Sequence, residues 1–207
     1  MLHLNSINEV THQLLKSLCS KDYLQNFALA GGTSLALQLG HRKSIDIDLF
    51  SFDEVNMPEI SLFLENEYDD IVIRRTTSVF IFCNINGIKS DFVKHNKSIL
   101  LKPCITLDGI RMYSVEDIAA MKLNAICGRG SKKDFYDIYL LLQQFKLKEL
   151  LNFFETKFNS DNSWMALKSL QYFEDADQNE QPELLIKYPD WDTMKKFFIE
   201  TVSDFKF

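Results

Sequence analysis

Two aspartates, Asp46 and Asp48, lie two residues apart in an apolar run, and their spacing is the sharpest chemical signal in the sequence. Residues two apart on a β-strand point to the same side, so both carboxylates would leave one rigid element together. We expect Ile45, Ile47 and Leu49 to face the core. Neighbouring carboxylates raise each other's pKa unless a cation compensates them, and Mg²⁺ binds a few carboxylates together with substrate phosphates. Two solvated acids on an exposed edge strand are the alternative.

A glycine pair, Gly31 and Gly32, ends a short apolar run over residues 26–30 and precedes Thr33 and Ser34. Glycine at a strand-to-helix turn lets the backbone approach a phosphate, and the helix start offers N–H groups and a positive dipole end. A helix that begins at Thr33 or Ser34 is therefore predicted to face a phosphate. A tight turn that needs glycine only for its geometry is the alternative.

A third acid, Asp91, also lies inside an apolar strand, over residues 88–93. If this strand pairs with the predicted strand at 45–50, three carboxylates converge. Three carboxylates are enough for two metal ions, one under a triphosphate and one under an attacking hydroxyl. The alternative is an ordinary exposed strand position.

The second half of the chain contributes Lys122, Asp134 and Asp137. Lys122 shares a predicted helix face with apolar residues, so its side chain either snorkels to solvent or reaches a phosphate. Asp134 and Asp137 are three residues apart and share a helix face near the helix start, where acids also suit the helix dipole. The four histidines show no ligand spacing, so a zinc site is not expected.

The composition predicts a folded protein, because 46% of the 207 residues are hydrophobic and 17 are phenylalanine. The N-terminus lacks the basic start and long apolar run of a signal peptide, and no segment approaches the roughly 18 apolar residues of a membrane span. Four scattered cysteines without C-x-x-C spacing predict free thiols. We therefore expect a cytoplasmic protein that does not contact a membrane.

Charge is distributed unevenly along a chain whose net charge is −6. Residues 71–111 carry seven basic residues against two acids, which makes this window +5. The seven are Arg74, Arg75, Lys89, Lys94, Lys97, Lys102 and Arg111. A basic face on an acidic protein is compatible with nucleic acid and, on charge alone, equally with an ordinary solvated surface.

Periodicity and turn signals predict the elements that position these residues. Asn86-Gly87 and Asp108-Gly109 predict two hairpins, because both residues of each pair tolerate positive φ. We predict helices at 5–19, from Thr33 or Ser34 to Leu39, and at 57–68, 114–126, 131–145, 147–158, 163–172 and 191–204, and strands at 26–30, 45–50, 71–73, 78–84, 88–93, 105–107 and 110–112. The fold is thus expected to be α+β: a mixed β-sheet flanked by helices in residues 1–113, then a helical bundle in residues 114–207, packed as one compact unit.

These motifs resemble the AbiEii-type nucleotidyltransferase toxins of the DNA polymerase β-like nucleotidyltransferase superfamily. The resemblance is carried by Gly31-Gly32-Thr33-Ser34-Leu35-Ala36-Leu37 and Gly40-His41-Arg42-x-Ser44-x-Asp46-Ile47-Asp48-Leu49-Phe50. Lys122 with Asp134-x-x-Asp137 is similar to the family's downstream lysine and acid pair, and the stretch from Tyr172 to Trp191 to its C-terminal helical part. The resemblance spans roughly residues 25–200 and implies a nucleotidyltransferase-like sheet.

The resemblance also implies roles for individual residues. Asp46 and Asp48 would bind Mg²⁺ with Asp91 as third carboxylate, and Asp134 would be needed for activity. The residues expected to bind the nucleotide are Gly31, Gly32, Thr33, Ser34, Arg42, Lys122, Lys133 and Asp137. The family more often has arginine where Lys133 stands, and lysine keeps the charge but loses the bidentate fork.

The predicted activity is that of a nucleotidyltransferase with two Mg²⁺ ions, which moves a nucleoside monophosphate from an NTP to an acceptor and releases pyrophosphate. Asp91 is the best candidate for deprotonating the acceptor, and Lys122 for stabilising the leaving pyrophosphate. The resemblance suggests RNA, such as a tRNA 3′ end, as the acceptor and a toxin–antitoxin pair with a cognate antitoxin protein as the context. The alternatives are nucleotidylation of a protein or small-molecule hydroxyl and a non-catalytic nucleotide-binding module.

Overall fold

A seven-stranded mixed sheet forms the centre of the protein, in the strand order β3-β4-β5-β2-β1-β7-β6. The computed structural model describes residues 1–94, 99–160 and 162–206, so Lys97 of the basic window lies outside the described residues. The strands are β1 (Phe27–Leu29), β2 (Ile47–Ser51), β3 (Ile71–Thr76), β4 (Phe80–Ile85), β5 (Ile88–Lys94), β6 (Ile105–Leu107) and β7 (Ile110–Met112). The helices are α1 (Glu9–Cys19), α2 (Gly31–Leu39), α3 (Met57–Glu67), α4 (Val115–Gly128), α5 (Lys132–Leu142), α6 (Leu147–Phe158), α7 (Ser163–Ser169), α8 (Glu174–Asp177) and α9 (Trp191–Ser203). The predicted α+β class is confirmed.

Local turn chemistry and long-range pairing together build the sheet. The β4–β5 and β6–β7 hairpins turn at Asn86-Gly87 and Asp108-Gly109, where all four residues have positive φ, as predicted. Strand β1 pairs antiparallel with β2 and parallel with β7, and β2 pairs parallel with β5. The parallel β2–β5 pairing is the one that joins the two predicted acidic strands.

Strand β2 begins at Ile47, two residues later than predicted. Ile47 and Leu49 are buried as expected, but Ile45 is 61% exposed, so its predicted core position is wrong. The backbone before the strand is held elsewhere, because the hydroxyl of Thr33 donates to the carbonyl oxygen of Asp46. Asp46 therefore lies just before the strand, and Asp48 projects from the strand itself.

Helices α1 and α3 also differ from the prediction. Helix α1 begins after Asn8, whose side chain accepts a hydrogen bond from the N–H of Thr11 and ends the non-helical segment before it. Phe63 of α3 is not turned inward, since it is 41% exposed and stacks on Tyr23 with 5.0 Å between ring centroids. Near the C-terminus, α7 ends at Ser169 and the short helix α8 was not predicted.

The hydrophobic core consists of two clusters, one on each side of the central sheet. One cluster joins α1 and α3 to the sheet, and the other joins α4, α5, α6, α7 and α9. The second also contains Ala28, Ala30 and Leu35 from β1 and α2. The sheet half and the helical half thus share buried contacts across residue 113, and the division into two domains there stays a prediction.

A buried ion pair between Lys157 and Asp117 lies within the helical half. Their Nζ and Oδ1 atoms are 2.6 Å apart, and both side chains are fully buried. Asp117 also accepts hydrogen bonds from the N–H groups of Leu101 and Lys102, while Lys157 donates to the carbonyl oxygen of Ile99. The pair fixes the segment 99–102 on the helices, so every partner of the two buried charges is supplied by the fold.

All four cysteines, in the described part of the chain, are free thiols, in agreement with the sequence prediction. Burial raises the pKa of Cys83 to about 12 and that of Cys104 to about 11. Both are therefore protonated at neutral pH and poorly reactive. Within the described residues, every helix is too short or too polar to cross a membrane.

Candidate active site

The glycine pair begins helix α2 directly after strand β1. Gly31 has φ +64°, and a Cβ there would lie 2.6 Å from the Oδ2 atom of Asp48. A Cβ on Gly32 would clash with Nη2 of Arg42. Both positions need glycine because the helix start lies directly against these two side chains. Among the described residues no side chain caps this N-terminus, which leaves its first N–H groups for a ligand.

We expect Gly31→Ala to abolish the nucleotide transfer predicted from the sequence, because the new methyl group would push Asp48 out of place. The left-handed backbone adds a stability cost of about 1–2 kcal/mol. Gly87→Ala is the matched control, since Gly87 has φ +74° but nothing within 4 Å of a built Cβ. Thermal unfolding of both variants measures the cost of a left-handed alanine, and nucleotide-transfer assays measure the effect of the contact with Asp48. Equal activity of the two variants would contradict the predicted contact.

The parallel register of β2 and β5 puts Asp48 directly beside Asp91, as the prediction required. The Oδ2 atom of Asp91 lies 2.9 Å from Nζ of Lys89, whereas its Oδ1 atom is buried and has no hydrogen-bond partner among the described residues. Asp46 has a looser cationic neighbour, Nζ of Lys133 at 3.7 Å. Two lysines thus balance part of the negative charge of the three acids.

The surroundings of Asp48 disfavour the ionised form of its carboxyl group. Burial raises the pKa of Asp48, and the negative charges of Asp91 and Asp46 raise it further against the opposing charge of Lys89. The unpartnered oxygen of Asp91 and an all-carboxylate donor set fit a hard divalent cation such as Mg²⁺. Asp46 and Asp91 are instead paired with Lys133 and Lys89, and no three carboxyl, imidazole or thiol groups of the described residues are gathered around a metal position in this structure.

A second, buried cluster of charged side chains lies around the start of α5. Asp137 accepts two hydrogen bonds from Arg42, at 2.7 and 2.8 Å, and one contact from His41 at 2.7 Å. Lys122 bridges Oδ1 of Asp134 at 2.8 Å and Oδ2 of Asp137 at 2.6 Å. These five side chains form one network that connects the loop after α2 to α4 and α5.

Charge pairing outweighs burial throughout this network. Burial alone would raise the pKa of Asp137, but Arg42 and Lys122 hold it well below its ordinary value. Burial would likewise lower the pKa of Lys122, but Asp137 and Asp134 hold it above its ordinary value. Arg42, Lys122, Asp134 and Asp137 are therefore charged at neutral pH, and each depends on the others for compensation.

A cavity of about 380 Å³ lies between the start of α2, the acids of the sheet and the helices α4 and α5. Seven residues predicted for the site line it: Gly31, Gly32, Asp46, Asp48, Lys122, Lys133 and Asp134. Six further residues line it that the sequence did not indicate: Ser44, Phe50, Lys89, Met121, Ala125 and Arg129. Two of these six could have been predicted from the sequence. Lys89 and Phe50 each lie two strand positions from a predicted acid and therefore share its face.

Four residues predicted to bind the nucleotide are not among those that line the cavity. Arg42 and Asp137 are paired with each other in the buried network. Thr33 donates to the backbone of Asp46, and Ser34 accepts a hydrogen bond from the Gln38 side chain at 3.1 Å. Their positions support a role in holding the cavity wall, and direct binding by them stays a prediction.

The predicted basic window does not form one continuous face. The guanidinium of Arg111 donates to three backbone carbonyl oxygens, so it belongs to the framework and is not available to a phosphate backbone. Lys94 forms an ion pair with Glu54. Arg74 and Arg75 are exposed on β3, and the available basic surface is therefore narrower than the window suggested.

Comparisons with known sequences show the family of this chain. The model of the family "Nucleotidyl transferase AbiEii toxin, Type IV TA system" matches residues 13–207. An uncharacterised protein of Aquifex aeolicus (strain VF5), aq_aa25, is 32% identical over 209 residues, 98% of each chain.

Solved structures show the same fold at low sequence identity. JHP933 from Helicobacter pylori is 18% identical with a TM-score of 0.51, covering 97% of this chain and 89% of that one. MenT4, the nucleotidyltransferase toxin Rv2826c from Mycobacterium tuberculosis H37Rv, is 15% identical with a TM-score of 0.52, covering 93% and 84%. With a family match over nearly the whole chain and a glycine-started helix facing strand acids, the protein is a nucleotidyltransferase and belongs to the AbiEii toxin family of type IV toxin–antitoxin systems.

Proposed function

We propose that this nucleotidyltransferase moves a nucleoside monophosphate from an NTP to a hydroxyl group of RNA, such as a tRNA 3′ end, and releases pyrophosphate. One observation carries the proposal. Asp48 and Asp91 lie in register on neighbouring strands, and Asp48 borders a cavity that the uncapped start of α2 and Lys122 also line. This arrangement supports binding of an anionic nucleotide next to carboxylates that can take up metal ions and protons.

The triphosphate would bind at the start of α2, where glycine lets the phosphates reach the backbone N–H groups. Lys122 would hold it from the other side. Its ammonium group has three N–H donors, and the contacts to Asp134 and Asp137 occupy two of them, which leaves one for the cavity. Lys133 and Arg129 also line the cavity and would add positive charge.

Asp46, Asp48 and Asp91 would hold Mg²⁺, with two ions as the expected number. Bound Mg²⁺ would neutralise the phosphate charge and lower the pKa of the attacking hydroxyl. Bound Mg²⁺ would compete with Lys133 for Asp46 and with Lys89 for the Oδ2 atom of Asp91. Both lysines line the cavity, so they would then be available to phosphate oxygens.

Asp91 is the residue proposed to deprotonate the acceptor, because its buried Oδ1 atom has no other partner among the described residues. The acceptor oxygen would form a bond to the α-phosphorus as the bond from that phosphorus to the pyrophosphate oxygen breaks. Lys122 would stabilise the charge that develops on the pyrophosphate. Asp134 would act through Lys122 as a positioning residue, since it holds the ammonium group in place. Most of the rate enhancement would come from such fixed charges and orientation.

The proposed biological context is that of a toxin with a cognate antitoxin, acting in the cytoplasm where NTPs and RNA are present. Nucleotidylation of a protein or small-molecule hydroxyl uses the same cavity. The acceptor therefore has to be identified by experiment and not from the nucleotide site.

Incubation with total RNA, Mg²⁺ and each α-labelled NTP in turn is expected to place label in RNA and to release pyrophosphate with at least one NTP. Electrophoresis and a pyrophosphate assay provide the readouts, and Asp48→Ala is the inactive control. If label appears only in protein or in small molecules, the acceptor is one of these and not RNA. Binding of NTP without any pyrophosphate release would contradict the proposal.

A further inference from the structure

The sheet continues beyond Asp91 with side chains on the same face as the acids. In the β4–β5 pairing, Phe82 lies opposite Asp91 and Asn84 lies opposite Lys89. In the β3–β4 pairing, Arg75 lies opposite Phe82. Residues directly opposite each other in paired strands share a face, so these side chains extend the acidic face toward the β3 edge.

The two faces of β4 differ sharply in burial. Ile81, Cys83 and Ile85 are at most 1% exposed and belong to the core. Phe80 and Phe82, on the other face, are only partly buried. Because the two rings contact each other, they form one contiguous apolar patch, which is the kind of surface that marks an interaction site.

The exposed rings are arranged as a stacked pair with a cation beside them. The ring centroids of Phe80 and Phe82 are 4.2 Å apart, with 15° between the ring planes. The guanidinium carbon of Arg75 lies 5.3 Å from the Phe80 centroid. Flat aromatic surfaces next to arginine bind unpaired bases by stacking, while the cation contacts phosphate.

A groove of about 290 Å³ lies next to the nucleotide cavity and reaches this face of the sheet at Asn84. Both are lined by Asp46 and Lys89, and the groove is also lined by Arg74 and Thr11. Thr11 is fully buried, and its hydroxyl has no hydrogen-bond partner among the described residues. The groove therefore offers a polar contact that the protein itself does not use.

Charge on this part of the sheet favours a polyanion. Residues 71–94 contain four lysines and arginines and a single acid, Asp91, although the whole chain carries −6. A single-stranded end fits better than a duplex, because only unpaired bases expose the faces that stack on Phe82. An acidic peptide would satisfy the charges but would leave the stacked rings without a matching surface.

We propose that the surface formed by Arg75, Phe80, Phe82, Asn84 and Lys89, the acceptor platform, binds the unpaired 3′ end of the acceptor RNA. The terminal bases stack on the phenylalanine rings, the phosphates contact the arginine, and the terminal hydroxyl reaches Asp91, which lies directly opposite Phe82 in the β4–β5 pairing. This inference rests on the proposed transfer to RNA and adds the surface that selects the acceptor.

The test measures binding of a fluorescein-labelled, unstructured RNA of about ten nucleotides, a length typical of such sites. Phe82→Ala is expected to weaken binding about 5- to 150-fold, the range found for losing one stacked base. Phe82→Tyr keeps the ring and should retain wild-type affinity. Phe63→Ala is the matched control, since Phe63 is also a stacked, partly exposed phenylalanine but lies on α3. Its RNA affinity should equal that of the wild type.

Arg75→Gln should reduce the slope of log affinity against log salt by about 0.7, the value for one phosphate contact on a single strand. Lys148→Gln removes an exposed charge from α6 and should leave the slope unchanged. Binding of a fluorescent NTP should be the same in wild type and Phe82→Ala, because Phe82 does not border the nucleotide cavity.

Equal RNA affinity of Phe82→Ala and Phe63→Ala would overturn the platform, as would equal affinity of the wild type for the same sequence as a duplex. These results are independent of the transfer assay. If pyrophosphate release requires RNA but Phe82→Ala binds RNA normally, the proposed function stands and the platform does not. If no NTP releases pyrophosphate, the proposed function itself fails.

Discussion

Asp48→Asn should abolish nucleotide transfer and, in the absence of metal ions, raise the melting temperature of the protein. Transfer should fall by more than the roughly 10- to 100-fold that the loss of an outer-shell partner of a metal site costs, because Asp48 would contact the ions directly. The gain in stability has a separate cause. Asparagine has nearly the same shape but carries no charge, so it removes the repulsion from Asp91 and Asp46 and the burial of an ionised group.

The sign of this effect follows from the raised pKa of Asp48. An acid whose pKa is higher in the folded than in the unfolded protein holds its proton more tightly when folded. Its ionisation therefore destabilises the fold as the pH rises from the unfolded value through the folded value. The advantage of Asp48→Asn should be present at neutral pH and vanish below the ordinary pKa of 3.8, where both states are protonated.

Differential scanning fluorimetry in EDTA and in Mg²⁺ measures both effects. A gain of about 1 kcal/mol corresponds to about 2–4 °C for a chain of this length. Mg²⁺ should raise the melting temperature of the wild type but hardly that of Asp48→Asn. Asp69→Asn, at an exposed acid outside the cavity, should change neither value. A lower melting temperature of Asp48→Asn in EDTA, or an active variant, would contradict the proposed role.

Asp137→Asn should destabilise the protein by about 3–5 kcal/mol, the usual cost of removing one partner from a buried ion pair. The physical reason is that Arg42 and Lys122 would keep their charges in the core but lose the carboxylate that both contact. The fork of Arg42 would also lose its bidentate acceptor. Urea unfolding of the variant and of Asp192→Asn, whose side chain is 81% exposed, measures the difference.

Acid should reduce this difference in stability. The pKa of Asp137 lies well below its ordinary value of 3.8 in the folded protein. A depressed pKa contributes stability above the unfolded value, and that stability is lost as the pH falls through the folded value. The gap between wild type and Asp137→Asn should thus be full at neutral pH and begin to narrow below about pH 4. If Asp137→Asn keeps wild-type stability and loses only NTP affinity, the nucleotide-binding role predicted from the sequence is right instead.

Local sequence determines some features of this protein, and long-range contacts determine others. The hairpins at Asn86-Gly87 and Asp108-Gly109 followed from residue type alone, because few other pairs accept positive φ at both positions. The glycine pair and Asp48 were likewise predictable, since a strand–turn–helix unit leaves a clear local pattern. Its boundary was not, because a buried contact from Thr33 fixes the backbone of Asp46 before the strand begins.

The roles of charged residues depended on partners far away along the chain. Arg42 was predicted to bind the nucleotide. In the structure its guanidinium instead donates two hydrogen bonds to Asp137, which is 95 residues away in the chain. The place of Phe82 was not predicted from the sequence, because only the pairing of β4 with β5 puts it beside Asp91 on a partly exposed face.

The sequence by itself determined the α+β class, the glycine turn, the acids and the chemistry that those residue types allow. The tertiary structure alone decided which acids are neighbours, which cations are already paired, and which rings remain accessible. The physical reason is that backbone conformation depends mostly on nearby residues, whereas charge compensation and burial depend on whatever the fold brings within a few ångströms.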